Sequence, residues 1–515
     1  MKYAVKAAEM KAYDEYTINK IGIPSMVLME RAALCVVFHL SEKIGDMPKK
    51  VLVAAGAGNN GGDGLAVGRI LALKGHKVDF FMAGNPDKVT KEVEVQLKIL
   101  KNLGFSIQSK LKDAEYDMVI DALLGIGLSR EVSGDYADAA DKINQLKSKG
   151  AYICGVDIPS GICADTGRVL GCAVKADLTV AFAFAKRGHL LYPGKTYCGK
   201  LVVEDIGIPE NGLSLPKPAA FYYEKEDLHQ LLPYRVPDGN KGTFGKVLLI
   251  AGSKDMSGAC ILCGSSIFRS GAGMVKIITP ACNKQTIQLS LPEAMLQTYE
   301  ECPDESKIKQ SLKWCDVVVA GPAMGTDENG YILMKCILEE KDLPMVIDAD
   351  GLNLMARYKD LMELAAKRRP GQMVITPHPA EFNRLLGTDM EAYQKNREQF
   401  IRMLSQKLHC IVAAKDAVTM IAGDQRSEIY INNSGNNGMA TAGSGDVLAG
   451  VLGALIGQGM DTFDAACLAV YLHGAAGDQA AKENGYSAVV ASDIIKKLMQ
   501  VMKECQNTTE GKGRI

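Results

Sequence analysis

A glycine-rich segment is the first part of the sequence whose residue types and spacing could do chemistry. It reads AAGAGNNGGDG over residues 54–64, follows the apolar run Lys50–Ala55, and has the spacing G-x-G-x-x-G. In such a turn, backbone N–H groups approach a phosphate at the N-terminus of a helix, although a tight turn without a ligand has the same composition. The pattern alone leaves both interpretations open. Three polar residues that a dinucleotide-binding turn does not need indicate a further ligand: Asn59, Asn60 and Asp63.

Acidic side chains also end two further predicted strands. Asp121 ends the run MVID before the glycine turn LGIG, and Asp157 follows another apolar run in VDIPSG. Because the carboxyl ends of parallel strands meet in one crevice, we expect these side chains near the glycine-rich segment. Oxygen donors of this kind suit a hard cation, whereas each aspartate by itself would equally suit a turn cap.

The second half of the chain contains a stronger signal, NNGMATAGSGDVLAG, over residues 436–450. The small residues Gly443–Gly445 precede a predicted helix, and their N–H groups could bind an anion. Asp446 follows them, where a carboxylate could accept a proton during phosphoryl transfer or could cap the helix. No lysine follows these glycines, which excludes a P-loop.

Other polar residues of this half stand at predicted strand ends. His378 lies between two prolines in TPHPAEF, a setting that favours a functional site over a structural role. Lys415, in AKDAVT, suits a phosphate. Cys260 and Cys263 have the spacing of metal ligands, but no second pair accompanies them and they fall in an apolar helix. We therefore interpret the two cysteines as core residues.

Composition narrows the class of protein. The 515 residues include 59 Lys plus Arg and 60 Asp plus Glu, and the net charge of -1 argues against nucleic-acid or acidic-membrane binding. Hydrophobic residues make up 47%, which excludes disorder over the whole chain. The 14 cysteines are scattered, unlike those of a disulfide scaffold. The start lacks the apolar core of a signal peptide, and no apolar run reaches about 18 residues, so we expect a cytoplasmic protein without a membrane partner.

Short apolar runs alternate with helical periodicity in both halves of the chain. This alternation predicts an α/β fold of two domains, each with a parallel-type sheet, separated by the proline-containing segment Glu210–Ala220. The polar tail Glu504–Ile515 is expected to fray. The predicted helices include Ala8–Ile21, Pro24–Ile44, Leu65–Lys74, Gly258–Ser270, Val447–Gly457 and Thr462–Gly477. The predicted strands are Lys50–Ala55, Lys77–Met82, Met118–Ala122, Tyr152–Val156, Asp177–Phe182, Lys200–Val203, Lys246–Ala251, Met274–Thr279, Val317–Ala320, Met345–Asp348, Met373–Thr376, Ile411–Ala414, Ala417–Ala422 and Glu428–Asn432.

Residues 1–212 resemble the YjeF N-terminal domain family of NAD(P)H-hydrate epimerases. The motifs that carry the resemblance are AEMKAYDEY, GIPSMVLMERAA, GNNGGDG, DALLGIG and VDIPSG. It implies a Rossmann-like parallel sheet and a potassium ion held by Asn59, Asp121 and Ser160. The family often has threonine where Ile126 stands, which leaves only a backbone contact there. The residues implied to line the substrate are Asn59, Asn60, Gly61, Gly62, Asp63, Gly125, Ile126, Gly127, Leu128, Ser129, Arg130, Glu131 and Asp157.

Residues 223–503 resemble the YjeF C-terminal domain family, which has a ribokinase-like fold and includes ADP-dependent NAD(P)H-hydrate dehydratases. The motifs are KGTFGKVLLIAGS, GPAMGT, TPHPAEF, AKDAVT and NNGMATAGSGDVLAG. The family commonly has glycine where Asp416 stands, so we expect this carboxylate to face away from phosphate. The resemblance implies that the hydrate binds to Ala259, Gly325, His378 and Asp446, and that the nucleotide binds to Lys415, Asp416, Ala417, Val418, Thr419 and Gly445.

The order of the two domains resembles that of the bifunctional NAD(P)H-hydrate repair enzymes. The resemblance implies that R and S hydrates, NADHX and NADPHX, are epimerised and that the S form is dehydrated with ADP and Mg²⁺. We expect Asp446 to act as the base on the C6 hydroxyl, Asp157 to act as the epimerase acid/base, and the chain to form a homo-oligomer. The alternative is a ribokinase-like, ATP-dependent small-molecule kinase whose first domain binds a nucleotide without catalysis.

Overall fold

A computed structural model of the chain describes residues 1–44, 47–85, 88–209 and 214–510. The chain divides into two units, one spanning Lys2–Ala220 and the other comprising Met1 and the chain from Phe221 onward. The division falls at the end of the segment Glu210–Ala220, of which residues 210–213 lie outside the described residues. In the described part of the chain, no helix combines the length and apolarity that crossing a bilayer requires.

The first unit is built on a parallel sheet of seven strands in the order β4-β3-β2-β5-β6-β7-β9. A separate parallel pair joins β1 to β8. The sequence analysis missed β1, because its four residues pair with a two-residue strand about 180 positions away and carry no periodicity of their own. The strands are β1 (Lys2–Val5), β2 (Lys50–Ala55), β3 (Lys77–Met82), β4 (Ile107–Gln108), β5 (Met118–Ala122), β6 (Tyr152–Val156), β7 (Leu178–Phe182), β8 (Ala185–Lys186) and β9 (Lys200–Glu204).

The strand order of this sheet reverses between β2 and β5. The chain runs from β2 outward to β4, then returns to the other side of β2 and continues through β5 to β9. The loops that follow β2 and β5 therefore diverge and leave a crevice at their carboxyl ends. The glycine-rich segment follows β2, and the turn LGIG follows β5.

The helix after β2 spans Asn59–Leu73, so the predicted start at Leu65 is wrong. Its glycines disfavour a helix by propensity, but they allow it to lie very close to the sheet. A Cβ on Gly64 would stand 2.3 Å from that of Ala122, and one on Gly68 would stand 2.5 Å from the Phe80 ring. Tertiary packing thus outweighs propensity, and the first helical turn takes in most of the glycine-rich motif.

The other helices of this unit cover both faces of the sheet or close its edges. The segment predicted as one helix from Ala8 to Ile21 is an α-helix that ends in a π-helical turn. The helices are Ala7–Tyr16, Thr17–Ile21 (π), Ser25–Ile44, Asn59–Leu73, Lys91–Asn102, Asp135–Ser148, Arg187–Leu190 and Gly194–Tyr197.

The second unit contains a sheet in the order β13-β12-β11-β14-β15-β16-β17-β18-β19. It is parallel from β13 to β17, in agreement with the predicted parallel-type core, and β18 and β19 extend it by antiparallel pairing. Their connections have too few residues for a parallel crossover. The strands from the division onward are β10 (Ala220–Tyr222), β11 (Lys246–Ile250), β12 (Met274–Pro280), β13 (Met295–Tyr299), β14 (Val317–Ala320), β15 (Met345–Ile347), β16 (Met373–Ile375), β17 (Ile411–Ala414), β18 (Met420–Gly423) and β19 (Ile429–Ile431).

The strand order of this sheet also reverses, here between β11 and β14. The helix that follows the GSGD motif begins at Ser444, and the last helix spans Ala491–Glu510, so residues 504–510 of the predicted polar tail are helical. Cys260 and Cys263 are buried in one helix, which confirms their packing role. The helices are Lys225–Asp227 (3-10), Leu228–Leu231, Ser257–Arg269, Ala281–Asn283 (3-10), Lys284–Ser290, Glu305–Trp314, Glu328–Leu338, Ala349–Arg357, Lys359–Ala366, Pro379–Leu386, Met390–Lys395, Arg397–Leu408, Asn437–Met439 (3-10), Ser444–Gly457, Thr462–Asn484, Tyr486–Ala488 (3-10) and Ala491–Glu510.

Close packing of the helix Ser444–Gly457 on this sheet gives a prediction for stability. A Cβ on Gly453 would stand 2.2 Å from Val319 Cγ2, whereas one on exposed Gly258 would meet nothing within 4 Å. Overpacking should exceed the gain in helix propensity, so Gly453→Ala is expected to lower the free energy of unfolding by about 1–2 kcal/mol. Gly258→Ala, the control, should raise it by about 0.5–1 kcal/mol. The sole tryptophan, Trp314, lies in the second unit, so its fluorescence during urea unfolding follows that unit. Equal effects of the two substitutions would contradict the prediction.

Candidate functional sites

A cavity of about 480 Å³ opens at the carboxyl ends of β2 and β5 in the first unit. The N-terminus of the helix Asn59–Leu73 and the loop Leu123–Arg130 form one part of its wall, and the helix Ala7–Tyr16 contributes another. The residues that line it are Met10, Asp14, Ile18, Ser25, Leu28, Met29, Ala32, Gly58, Asn59, Asn60, Asp63, Glu92, Leu123, Leu124, Gly125, Ile126, Gly127, Leu128, Ser129, Arg130, Tyr136, Asp157, Phe182, Lys186 and Ile206.

Most of the residues implied to bind the first substrate line this cavity. Gly61 and Gly62 are instead buried in helix packing, where added Cβ atoms would stand 1.9 Å from Gly56 O and 2.6 Å from Met29 Cε. Glu131 is exposed beyond the end of the lining loop. Those that line the cavity are Asn59, Asn60, Asp63, Gly125, Ile126, Gly127, Leu128, Ser129, Arg130 and Asp157.

Asp121 and Ser160, two of the three residues implied to hold potassium, are in direct contact below the loop. Ser160 donates to Asp121 from its N–H at 2.8 Å and from its Oγ at 2.6 Å, and Leu123 N–H donates at 3.4 Å. Burial raises the pKa of Asp121 to about 6, although these hydrogen bonds lower it. Asn60 also reaches this region, since its Nδ2 donates to Leu124 O at 3.1 Å. The hydrogen bonds that this buried carboxylate accepts from the described residues therefore come from neutral donors.

Asp157 is held by a lysine that the sequence analysis did not identify. The wholly buried Lys186 forms an ion pair with Asp157 Oδ1 and donates to Phe182 O at 3.2 Å. Phe182 N–H also donates to Asp157 Oδ1, at 3.0 Å. The φ angle of Asp157 is 63°, an unfavourable conformation for a residue with a side chain that here aims the carboxylate at Lys186 and the cavity.

Two further acids share this electrostatic environment. Burial raises the pKa of Asp14 to about 6; Lys186 lowers it, and Asp157 raises it. Burial also raises the pKa of Asp63 well above its usual range, with Asp157 and Asp14 contributing. The Lys186 ammonium therefore faces Asp14, Asp63 and Asp157, and these three carboxyl groups cannot all be ionised at low cost.

In the second unit, an ion pair lies at the carboxyl ends of β15 and β17. Lys415, just after β17, contacts Asp348 Oδ1 at 2.7 Å, and Asp348 follows β15 and is buried. A Cβ on Gly445 would stand 3.3 Å from Lys415 Nζ and 3.5 Å from Asp348 Oδ2. The N-terminus of the helix Ser444–Gly457 therefore lies directly beside this pair, and its first N–H groups have no partners within the helix.

Asp446 lies on the first turn of that helix. Burial and the charges of Asp348 and Asp350 raise its pKa to about 6, and Lys415 lowers it. Asp350 Oδ2 in turn accepts the Gly325 N–H at 3.0 Å, which ties the loop after β14 to the same edge. The structure thus brings the predicted Gly325, Asp446 and Gly445 together around residues that were not predicted.

The predicted residues Ala259 and His378 border the same region. The helix that starts at Ser257 and contains Ala259 packs on the GSGD turn, where a Cβ on Gly443 would stand 2.4 Å from Leu262 Cδ1. His378 caps the helix Pro379–Leu386, since its Nδ1 accepts the Ala380 N–H at 3.2 Å. Its Nε2 lies 3.2 Å from Glu381 Oε1, and burial raises the pKa of Glu381 to about 7.

The segment Lys415–Thr419 is anchored by Arg397. This arginine donates to Ala414 O at 3.0 Å and to Val418 O at 2.7 Å. It also lies 3.4 Å from Asp416 Oδ2, so the carboxylate that replaces the family's glycine is neutralised there. The backbone between Asp416 and Thr419 is thereby fixed beside Lys415.

The second unit contains a cavity of about 790 Å³ at the amino ends of its parallel strands, away from the polar residues described above. Its lining includes Gly245, Asp316, Pro344 and Gln372, which stand immediately before β11, β14, β15 and β16. None of the residues predicted to act in this unit lines it. We therefore place the candidate site at the carboxyl edge, where the polar residues converge.

Six polar residues that make these contacts were missed by sequence reasoning. Asp348 could have been found, because it ends the apolar run MVID, the same pattern that identified Asp121, and Asp350 stands two residues later. Glu381 stands three residues after His378, the spacing of a capping box. The remaining three lie on segments without a local signal for a site: Asp14, Lys186 and Arg397.

Comparison with known proteins agrees with the division of the chain. A family model described as YjeF-related protein N-terminus matches residues 25–188, and one described as NAD(P)H-hydrate dehydratase matches residues 247–500. A relative from Moorella thermoacetica, named bifunctional NAD(P)H-hydrate repair enzyme Nnr, is 34% identical over 99% of this chain and 98% of its own length. A relative of the same name from Escherichia coli is 33% identical over 96% of this chain and 93% of its own.

A solved structure gives the fold of the second unit. A ribokinase-like superfamily protein from Enterococcus faecalis is 29% identical, covers 57% of this chain and 100% of its own, and superposes with a TM-score of 0.51. The second unit therefore has a ribokinase-like fold. Since relatives of one name and more than 30% identity align with nearly the whole sequence, the chain belongs to the family of bifunctional NAD(P)H-hydrate repair enzymes.

Proposed function

We propose that the chain repairs hydrated nicotinamide nucleotides by two reactions, one in each unit. The first unit interconverts the R and S forms of NADHX and NADPHX, and the second dehydrates the S form with ADP, giving AMP and phosphate. Family membership over the whole chain supports both activities. The observation that carries the proposal is the same arrangement in each unit: a surplus of carboxyl groups around one lysine, beside the N-terminus of a glycine-rich helix.

The dehydration needs a better leaving group than hydroxide. The oxygen of the C6 hydroxyl bonds to the β-phosphorus of ADP, the bond from that phosphorus to the bridging oxygen breaks, and AMP leaves. Phosphate then leaves C6 while C5 loses a proton, and the C5–C6 double bond forms again. No oxidation occurs, and the energy comes from the phosphoanhydride bond.

The residues of the second site match these steps. Asp446 takes the proton of the C6 hydroxyl, and the N–H groups of Gly443–Gly445 stabilise the transferring phosphoryl group. Lys415, positioned by Asp348, binds nucleotide phosphate. The other residues assigned to the nucleotide are Asp416, Ala417, Val418, Thr419 and Gly445, and those assigned to the hydrate are Ala259, Gly325 and His378.

Mg²⁺ fits the second site as a partner of the nucleotide. The charges of Asp348 and Asp350 both raise the pKa of Asp446, so the cluster has excess negative charge. Among the described residues, no group of three His, Cys, Asp or Glu side chains forms a metal site by itself. Mg²⁺ commonly takes only one or two carboxylates and completes its shell with phosphates and water. When bound, it neutralises phosphate charge; Asp348 would hold it.

K⁺ fits the first site for a similar reason. The carboxylate of Asp121 is buried among neutral donors, and Ser160 supplies a further oxygen. Asp121, Ser160 and Asn59 would hold the ion, which when bound supplies positive charge under the loop that carries Gly125–Arg130. Asp157, paired with Lys186, accepts a proton during epimerisation. A cytoplasmic location and a homo-oligomeric state stay predictions from the sequence.

Recovery of NADPH tests the function as a whole. Purified protein with mixed R and S NADPH hydrates, ADP, Mg²⁺ and K⁺ is expected to restore the absorbance at 340 nm completely, because epimerisation feeds the dehydratase. A plateau at the initial S fraction, insensitive to added enzyme, would contradict epimerase activity. No recovery with either ADP or ATP, together with a stable phosphorylated product, would favour the kinase alternative.

The dehydratase rate should depend on the protonation of Asp446. The base acts when ionised and its pKa is about 6, so with pure S hydrate the kcat/KM should fall about tenfold per pH unit below 6 and level off above it. Asp446→Asn should lower kcat by about 10²–10⁴-fold, and its kcat/KM should no longer fall as the pH is lowered below 6. Asp464 serves as the control, because it is also an acid at the third position of a helix but is exposed, and Asp464→Asn should leave kcat and the pH dependence unchanged. If kcat/KM of Asp446→Asn still fell below pH 6, Asp446 would not be the base.

Binding of K⁺ should order the loop above Asp121. We expect hydrogen exchange in peptides covering residues 123–131 to slow in KCl relative to choline chloride, and Asp121→Asn to abolish the difference because the buried charge is lost. Asp117, which precedes the same strand and accepts the Lys50 N–H, provides the control. If Asp117→Asn and Asp121→Asn behaved alike, the ion would not be bound at Asp121.

A further inference from the structure

The helix Ala7–Tyr16 presents one acid to the first cavity. Met10, Asp14 and Ile18 are spaced by four residues and all three line the cavity, Ile18 from the π-helical turn that continues the helix. On the neighbouring face, Tyr13 is buried and its ring packs edge-on against Phe184 with 5.1 Å between the centroids. Because Tyr13 fixes the neighbouring face of the helix in the core, Asp14 faces the cavity.

Several contacts hold the start of this helix in place. The Ala7 N–H donates to Asp165 Oδ1 at 2.6 Å, and Glu9 accepts the N–H groups of Lys6 at 2.7 Å and Ala219 at 2.9 Å. The buried Arg187 lies 3.6 Å from the Glu9 carboxylate. A side chain on such an anchored helix is positioned with little freedom, as a reacting group requires.

Asp157 alone cannot meet the proton balance of the proposed epimerisation. C6 of the hydrate carries a hydroxyl and is bonded to the ring nitrogen. Inversion proceeds when a proton is delivered to the hydroxyl, the C6–O bond breaks, and the nitrogen lone pair forms a C=N bond. Water then adds to the other face of C6 and loses a proton. One proton is delivered and one removed, so the site needs a protonated acid as well as the Asp157 carboxylate that is paired with Lys186.

We propose that Asp14 is the second catalytic proton carrier of the epimerase site, acting with Asp157, an inference that rests on the function proposed above. When the hydroxyl leaves on one face, Asp14 supplies the proton and Asp157 takes the proton of the incoming water, and the reverse direction exchanges these roles. The surplus of carboxyl groups over lysine in the cavity also favours the cationic ring formed in between.

The electrostatic setting of Asp14 agrees with this role. Its pKa of about 6 results from burial, the favourable charge of Lys186, and the opposing charges of Asp157 and Glu15, and it is also coupled to Asp63. A group that titrates there exchanges protons readily near neutrality. Asp63 differs, because burial raises its pKa well above the usual range.

The test compares Asp14→Asn with Glu15→Gln, a neighbouring acid that is exposed. Epimer interconversion is measured without ADP by separating the R and S forms after mixing, with the spontaneous rate subtracted. Asp14→Asn should lower kcat about 10²–10³-fold with little change in KM, whereas Glu15→Gln should match the wild type. In the wild type kcat/KM should fall as the pH rises above about 6, because Asp14 loses its proton. This fall of kcat/KM should be absent in Asp14→Asn.

A second variant guards against a merely structural effect. Asp14→Ala should recover part of its rate on addition of formate, which replaces the missing carboxyl, while a misfolded variant would not. Dehydration of pure S hydrate by the second unit should be unaffected in all variants. Three results would overturn the inference. Asp14→Asn could keep a rate within threefold of the wild type together with the fall of kcat/KM at high pH, or it could lose activity through KM alone. Formate could also fail to restore any activity to Asp14→Ala. If the wild type itself did not interconvert the epimers, the proposed function would fail instead.

Discussion

Both candidate sites depend on a helix that lies closer to a parallel sheet than side chains normally permit. In the first unit the contact is made by Gly64 and Gly68 against Ala122 and Phe80, and in the second by Gly453 against Val319. A larger residue at these positions would push the helix outward and carry its N-terminus away from the strand ends. The glycines therefore set the distance between the unsatisfied N–H groups of the helix and the acids at the edge of the sheet.

The two sites also solve the same electrostatic problem. Each contains one lysine that is committed to a buried or partly buried carboxylate, Lys186 to Asp157 and Lys415 to Asp348. Asp14 and Asp446 lie near these pairs, and burial raises the pKa of each to about 6. Pairing one acid thus leaves another poised to exchange protons near neutrality, which is what the acid–base steps of both proposed reactions require.

The strands whose bounds depend on local sequence pattern were predicted correctly. β2, β3, β5, β6, β14 and β17 have the predicted bounds, because short apolar runs between turns determine them. It misplaced the start of the helix at Asn59, since the glycines there are helical only through their contact with the sheet. Lys186 and Arg397 were missed because each acts on a segment distant in sequence, about 20–30 residues away, and neither position carries a local signal. Contacts of that kind require the tertiary fold.

The two sheets share a strand order although their sequences show no repeat. In each, the chain leaves the centre of the sheet to one side and returns to the other, so that β2 and β5 in one unit, and β11 and β14 in the other, flank the reversal. This strand order explains why polar residues from distant segments converge at one edge of the sheet in both units. It also suits the combined chemistry: a dehydratase specific for one epimer stalls when that epimer is used up, and an epimerase alone cannot lower the total hydrate. Because cleavage of ADP makes the dehydration irreversible, it draws the epimerisation toward the S form, and a chain that carries both sites can remove either hydrate.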